Sequence, residues 1–104
     1  MVEYIEENKV GERRTLVKEF WPSQKLKIIG EIDSAGKRNG LWEAYFENGH
    51  KWSEGMYIHG EEMGRKTVWF EDGKKRYEGE VRNGKPFGKW RFWDKKGQVT
   101  EKEY

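Results

Sequence analysis

The 104-residue sequence contains no cysteine, and no run of apolar residues approaches the length of a membrane span. Without cysteine the chain has no disulfide framework, no thiolate zinc site and no cysteine nucleophile. A membrane-spanning helix needs about 20 consecutive apolar residues, and the acidic start Met1–Glu7 is not a signal peptide. These absences favour a soluble, cytoplasmic protein, although a chain trimmed of a leader would look the same.

A charge excess of one sign is also absent, because 21 Lys and Arg residues face 19 Asp and Glu residues, leaving a net charge of +2. Charged residues make up 38% of the chain, which would suggest disorder if they repelled one another. The balance argues against a dedicated nucleic-acid binder, which usually has a basic excess. Aliphatic side chains are scarce, but six Trp, five Tyr and five Phe can supply a core, since each buries about 150–250 Å².

The sequence repeats itself with a period of 24 residues. Residues 40–63, 64–87 and 88–104 align without gaps, and their first lines read GLWEAYFENG, GRKTVWFEDG and GKWRFWDKKG. Residues 15–39 form a looser copy with one insertion. We expect residues 1–14 to supply a leading strand or cap to one repeat domain that covers residues 1–104.

Each unit reads as a β-hairpin. In the second unit the β-prone runs Leu41–Phe46 and Lys51–Tyr57 flank Asn48-Gly49, and the next unit has Asp72-Gly73 at the same place. These dipeptides are strong hairpin signals, because both central residues of such a turn reach positive φ. The pattern predicts an all-β meander of roughly eight antiparallel strands in about four 24-residue hairpin units.

The recurring pattern G-x-W-x-x-[YFW]-x-x-x-G-K…E-G-x-[YV]-x-[NH]-G resembles the variant MORN repeat over residues 15–104. Small bacterial proteins with such repeats are described as antitoxin or immunity components. The resemblance implies a single-layer, twisted β-meander, a role in protein–protein contact and no catalytic residues. Eukaryotic MORN repeats are also linked with phospholipid binding and scaffolding dimers. Val17 and Glu103 depart from the pattern at the positions of its tryptophan and a glycine.

The hairpin register divides the side chains between two faces. If Asn48-Gly49 closes a two- or four-residue loop, Phe46 pairs with Lys51 and Trp42 with Gly55, and partners share a face. A glycine opposite Trp42 leaves room for the indole to lie across the strand. We interpret one face as structural, with Trp42, Phe46, Tyr57, Val68, Phe70, Tyr77, Val81, Trp90 and Phe92 on it. A one-residue change in register would exchange the faces.

The opposite face carries one aromatic residue per unit, and Trp52 is expected directly opposite Tyr45. Exposed Trp and Tyr residues rimmed by charge are typical of interaction hot spots. The predicted partner-binding residues are the aromatics Tyr45, Trp52, Trp69 and Trp93, with Arg76 and Arg91 at the rim. The alternative is that these aromatic residues only support the sheet and are covered by the aliphatic stems of Lys and Arg.

A second candidate surface interleaves basic and aromatic residues near the end of the chain, at Lys85, Phe87, Lys89, Trp90, Lys95 and Lys96. Such a composition suits single-stranded nucleic acid, anionic lipid headgroups or an acidic protein. The alternative is that the final unit here supplies a core strand and a solvated turn.

The sequence offers no recognisable catalytic or metal chemistry. His50 and His59 fall in turns where the next unit has Lys74 and Asn83, and a metal site needs further converging ligands. Glu54 and Glu78 recur with the repeat, whereas a general acid–base pair would occur once. We predict a protein that is not an enzyme and has no metal or cofactor.

The leading hypothesis is therefore a protein-binding module of the inhibitor, antitoxin or immunity type. Such a module would bind a toxin, a nuclease or another enzyme and cover its active face. The alternatives are a membrane-surface or scaffolding protein and, with less support, a single-stranded nucleic-acid binder. A single-layer sheet also leaves an apolar face in water, which favours a homodimer or a tightly curled sheet.

Overall fold

A computed structural model describes residues 2–9 and 12–104, without the side chains of residues 6–9, 12 and 13. These residues form nine antiparallel strands in one open sheet, in chain order from one edge to the other. The strands are β1 Val2–Lys9, β2 Glu12–Phe20, β3 Leu26–Ile32, β4 Gly40–Tyr45, β5 Lys51–Ile58, β6 Glu61–Trp69, β7 Lys75–Arg82, β8 Lys85–Trp93 and β9 Val99–Glu103. The predicted all-β meander of hairpins is confirmed. Of the predicted leading segment 1–14, residues 1, 10 and 11 lie outside the described part.

Two kinds of turn join the strands from β4 to β8. The β4–β5 loop is the longer kind, in which Gly49 has a φ of 93° and its N–H donates to the carbonyl of Phe46 at 3.0 Å. Only the glycine of Asn48-Gly49 has positive φ, so the expectation for that pair is wrong. Both residues reach positive φ in the two-residue turns His59-Gly60 and Asn83-Gly84. The reason is loop length, because a two-residue turn needs two left-handed residues and a longer loop needs one.

The register of the β4–β5 hairpin agrees with the prediction at its centre and departs from it at its end. Trp42 lies opposite Gly55, and Ala44 lies opposite Ser53, as expected. The predicted pairing of Phe46 with Lys51 is wrong, because Tyr45 lies opposite Lys51. A β-bulge lies between the pairs Ala44–Ser53 and Tyr45–Lys51, and Trp52 is its extra, unpaired residue.

One face of the sheet, here called the core face, holds the most deeply buried apolar side chains, Trp42, Val68, Val81 and Trp90. The ring of Trp90 lies 6.1 Å from that of Tyr77 and 6.3 Å from that of Phe92, measured between centroids. Large rings thus replace aliphatic side chains in this single layer, as the composition predicted.

Two tryptophans on this face lie flat over glycines of the preceding strand. A Cβ on Gly30 would come within 2.0 Å of the Trp42 indole, and one on Gly79 within 2.2 Å of the Trp90 indole. The Trp42 Nε1 also donates to the carbonyl of Glu31 at 2.8 Å. We call each tryptophan with its glycine an indole rung, since it ties two strands together.

The junction of β5 with β6 has no such rung, and an ion pair between two residues of β6 stands in its place. Lys66 occupies the position of Trp42 in the repeat, and its Nζ lies 3.1 Å from the Glu62 carboxylate. A Cβ on Gly55 would meet Glu62 Oε2 at 3.0 Å and no ring. The expectation that Gly55 makes room for Trp42 is therefore wrong, because the indole leans toward β3 and covers Gly30.

Candidate functional site

The face opposite the core face, here called the ladder face, carries Tyr45, Trp69 and Trp93 at equivalent positions of three units. All three rings are half-buried. Two residues before each ring on the same face stand Glu43 on β4, Thr67 on β6 and Arg91 on β8. Charged neighbours, which the sequence predicted for the candidate binding face, thus occur at two of the three positions.

Lys51 organises the charges beside Tyr45. Its Nζ lies 2.6 Å from Glu43 and 3.7 Å from Glu54, and 5.9 Å from the centre of the Trp69 ring. Its hydrogen bond to Glu43 raises the pKa of Lys51 above its ordinary value. Burial and the charge of Glu43 raise the pKa of Tyr45. Lys51 thus bridges two carboxylates, and the ladder face carries an excess of negative charge at this point.

Glu78 forms a similar centre in the next unit, where 7% of its surface is exposed. Arg65 lies 3.1 Å and Lys75 3.0 Å from its carboxylate oxygens. Burial alone would raise the pKa of Glu78, but these two cations lower it below its ordinary value. Glu78 is thus held in its charged form as part of the repeat architecture.

Trp52 departs from its predicted place opposite Tyr45. Its ring stacks on Phe46, with centroids 5.5 Å apart and an angle of 28° between the planes, and 40% of the residue is exposed. Neighbouring units pair the same two positions as an aromatic ring with a cation, Trp21 with Lys27 and Phe70 with Arg76. The second unit therefore stacks two aromatic rings where its neighbours place a cation on one.

An open cleft of about 620 Å³ lies at the hairpin ends beside this stack. We call it the turn cleft, and its lining residues are Phe46, Trp52, Trp69, Phe70, Glu71, Asp72, Arg76 and Lys95. Neighbouring turns are tied together here, because Asn48 Nδ2 donates to the carbonyl of Glu71 at 2.9 Å.

The turn cleft brings together three of the six predicted partner-binding residues, namely Trp52, Trp69 and Arg76. Tyr45, Trp93 and Arg91 lie outside its lining. Arg91 instead pairs with Glu101 on β9 at 3.2 Å.

Hydrogen bonding divides the six tryptophans into two groups. The indole N–H groups of the first group, Trp21, Trp42 and Trp90, donate to main-chain carbonyls at 3.1, 2.8 and 3.0 Å. Those of Trp52, Trp69 and Trp93 have no acceptor within the described residues. Since no buried side-chain nitrogen there lacks a partner, the N–H groups of the half-buried Trp69 and Trp93 reach solvent, and Trp52 is itself 40% exposed. The second group contains the three tryptophans that the sequence assigned to partner binding.

The structure separates the residues of the predicted basic-aromatic surface. Trp90 is buried on the core face, whereas Phe87 is 42% exposed on the ladder face beneath the guanidinium of Arg82. Lys85 and Lys89 flank Phe87 along β8 on that face. Lys95 lines the turn cleft, and Lys96 lies in the β8–β9 turn.

Sequence reasoning missed one exposed apolar surface. Leu41, Met56 and Met63 lie opposite one another on β4, β5 and β6 of the ladder face, each 40–42% exposed, with Ile58 beside them. We call these four residues the methionine row. The signal was present, since the predicted pairing of Trp42 with Gly55 also pairs Leu41 with Met56.

The two histidines do not converge. His59 Nδ1 lies 2.7 Å from Asp33 Oδ2, and His50 lies against Gly73. The hydrogen bond from His59 and those from the Lys37 and Ala35 amides lower the pKa of Asp33. Across residues 2–9 and 12–104, no group of three or more His, Asp and Glu side chains is placed to hold a metal ion.

Comparison with protein-family models identifies one repeat, on the β4–β5 hairpin. Residues 38–59 match the family model described as MORN repeat variant, and no curated protein gives a significant match. The described residues contain no helix long and apolar enough to cross a membrane. The matched segment covers β4, the following loop and β5, which supply Phe46 and Trp52 to the turn cleft. The chain thus carries a MORN-like repeat, a kind of module that is in general non-catalytic.

Proposed function

We propose that this chain is a protein-binding module that holds its partner at the turn cleft, as an inhibitor, antitoxin or immunity-type protein. The observation that carries the proposal is the trio of tryptophans whose N–H groups have no acceptor among the described residues, two of which, Trp52 and Trp69, line that cleft. Tryptophan is enriched in binding hot spots because it offers a large apolar face and one directed donor.

Position 52 supports a role beyond the fold. The neighbouring units hold a lysine or an arginine there and still form the same hairpin, so the hairpin does not require a tryptophan. The exposed ring therefore adds apolar contact area at a place where the repeat needs none. The MORN-like repeat at residues 38–59 supports a binding module of this kind.

Co-expression with the products of the adjacent genes, followed by affinity capture and a growth assay, tests the proposal. We expect the wild-type chain to capture one such product and to relieve its toxicity or inhibit its activity. Trp52→Arg, which copies Arg76 of the next unit, should keep the fold and weaken capture at least tenfold, which is about 1.4 kcal/mol. Equal capture by the two chains would contradict a role for the turn cleft.

A second candidate function is binding to an anionic membrane surface, favoured by exposed Phe87 between Lys85 and Lys89 on one face of β8. Apolar rings with flanking lysines suit anionic headgroups. Cosedimentation with phosphatidylserine vesicles should then be lost in a Lys85→Glu, Lys89→Glu double variant and kept in Trp52→Arg. Retention by the double variant, or no cosedimentation of the wild type, would remove this candidate.

A further inference from the structure

The turn cleft lies within a row of ring-containing pairs that recur at a fixed spacing across the sheet. The first three units each contribute one pair at the loop, Trp21 with Lys27, Phe46 with Trp52 and Phe70 with Arg76. The fourth unit has Asp94 and Thr100 at these positions and no such pair. One unit spans two strands, and strands lie about 4.8 Å apart, so the pairs recur about every 9.6 Å across the sheet.

An extended ligand that crosses the strands meets one pair per unit. A polyproline II helix rises about 3.1 Å per residue and repeats every three residues, so its equivalent side chains recur about every 9.3 Å. A β-strand repeats the side chains of one face every two residues, about 6.6 Å, and this repeat does not match the spacing of the pairs. The spacing therefore favours a ligand in the polyproline II conformation.

The chemistry of the cleft agrees with the spacing. Two carboxylates, Glu71 and Asp72, and two cations, Arg76 and Lys95, line it, so it carries no net charge to select a charged polymer. The rings provide apolar faces, and the Trp52 and Trp69 indoles provide free N–H donors. Proline rings pack on aromatic faces, and the carbonyls of a polyproline II segment have no internal hydrogen bonds and can accept from such donors.

We infer that the turn cleft binds a proline-rich segment of the partner protein in the polyproline II conformation. Prolines pack between Trp52 and the Phe70 wall, and the indole N–H groups of Trp52 and Trp69 donate to the segment's carbonyls. A basic residue flanking the prolines pairs with Glu71 or Asp72, which have no ion-pair partner among the described residues. The inference rests on the proposed function and names the chemistry of the partner.

Titration of the ¹⁵N-labelled protein with acetylated, amidated decaproline tests it, because each of the six tryptophans gives one indole N–H signal. We expect saturable shifts for Trp52 and Trp69. The signals of Trp21, Trp42 and Trp90, which are bonded to the chain's own carbonyls, should not move. Trp52→Arg should keep the remaining spectrum and bind decaproline at least tenfold more weakly. A Gly-Ser decamer is the matched control peptide and should produce no saturable shift.

The result that would overturn the inference is an absence of saturable shifts at Trp52 and Trp69, or equal shifts with the Gly-Ser decamer. Failure here is distinct from failure of the proposed function. If an adjacent gene product is captured in a Trp52-dependent way and decaproline neither binds nor competes, the binding module stands and the proline-rich ligand is wrong. Displacement of the captured partner by decaproline would support both.

Discussion

Glycines beneath the tryptophans of the core face show how one missing Cβ determines a contact in this sheet. Gly30 and Gly79 each lie under an indole, whereas Gly55, at the equivalent position of the second unit, lies under the flexible tip of Glu62. None of the three has positive φ, so backbone strain does not distinguish them. The three glycines differ in the side chain that lies above each of them.

Gly30→Ala should therefore destabilise the protein, and Gly55→Ala should be nearly neutral. A Cβ at position 30 would lie 2.0 Å from an indole carbon, and removing such overlap displaces Trp42 at a cost of about 1–3 kcal/mol or more. At position 55 a carboxylate tip can move away. Urea unfolding of both variants measures the difference, and equal stability would show that Trp42 does not need the glycine.

The two tryptophans of the β4–β5 hairpin should differ in what they stabilise. Trp42→Ala removes a buried ring and its hydrogen bond to Glu31, which should lower the free energy of unfolding by about 3–5 kcal/mol. Trp52→Ala removes a half-exposed ring from a bulge and should cost less than about 1 kcal/mol. Thermal unfolding followed by circular dichroism compares them, and the opposite ranking would mean that the core face has been misidentified.

Ion pairs that link adjacent strands matter at the scale of the element. Glu78 on β7 binds Arg65 across the pair with β6, and Lys75 on its own strand. Hydrogen bonds to a charged group of this kind contribute on the order of 1 kcal/mol or more. Because the folded pKa of Glu78 is lowered, this stabilisation is present at pH above the unfolded pKa, about 4.3.

Glu78→Gln should therefore lower stability at neutral pH, and the difference from wild type should shrink as pH falls below about 4 through the lowered pKa. Chemical unfolding of both proteins across a pH series measures this difference. A difference that stays constant down to about pH 3 would show that the carboxylate charge contributes nothing and that packing alone explains the loss.

The hairpins themselves could be predicted from sequence, and their fine register could not. Spaced glycines and the Asn48-Gly49 signal located the second hairpin and its central pairing. The bulge at Trp52 escaped prediction because a single extra residue leaves the pattern of apolar positions almost unchanged. For the same reason Trp52 was assigned as a binding residue but given the wrong neighbour. The indole of Trp42 was placed on the wrong glycine because pairing fixes the face and not the direction in which a long side chain leans.

At the scale of the whole molecule, the methionine row is the apolar surface that a second copy would cover. Its four residues cross three strands, and an exposed apolar patch of this kind favours an interface, which between two copies of one chain is most often two-fold. We expect dimers at high concentration, and Met56→Glu should abolish them while leaving the core face intact. Light scattering over a concentration series measures the mass. A constant 12.5 kDa, the mass of one chain, or dimers that survive Met56→Glu, would contradict this prediction.

The lack of a tryptophan at the β5–β6 junction gives the sheet an uneven mechanical profile. Indole rungs join β3 to β4 and β7 to β8, whereas the Lys66–Glu62 ion pair lies within β6 and places no ring across to β5. Bending should therefore concentrate along the β5–β6 line. The sheet then behaves as two stiff plates joined by a hinge.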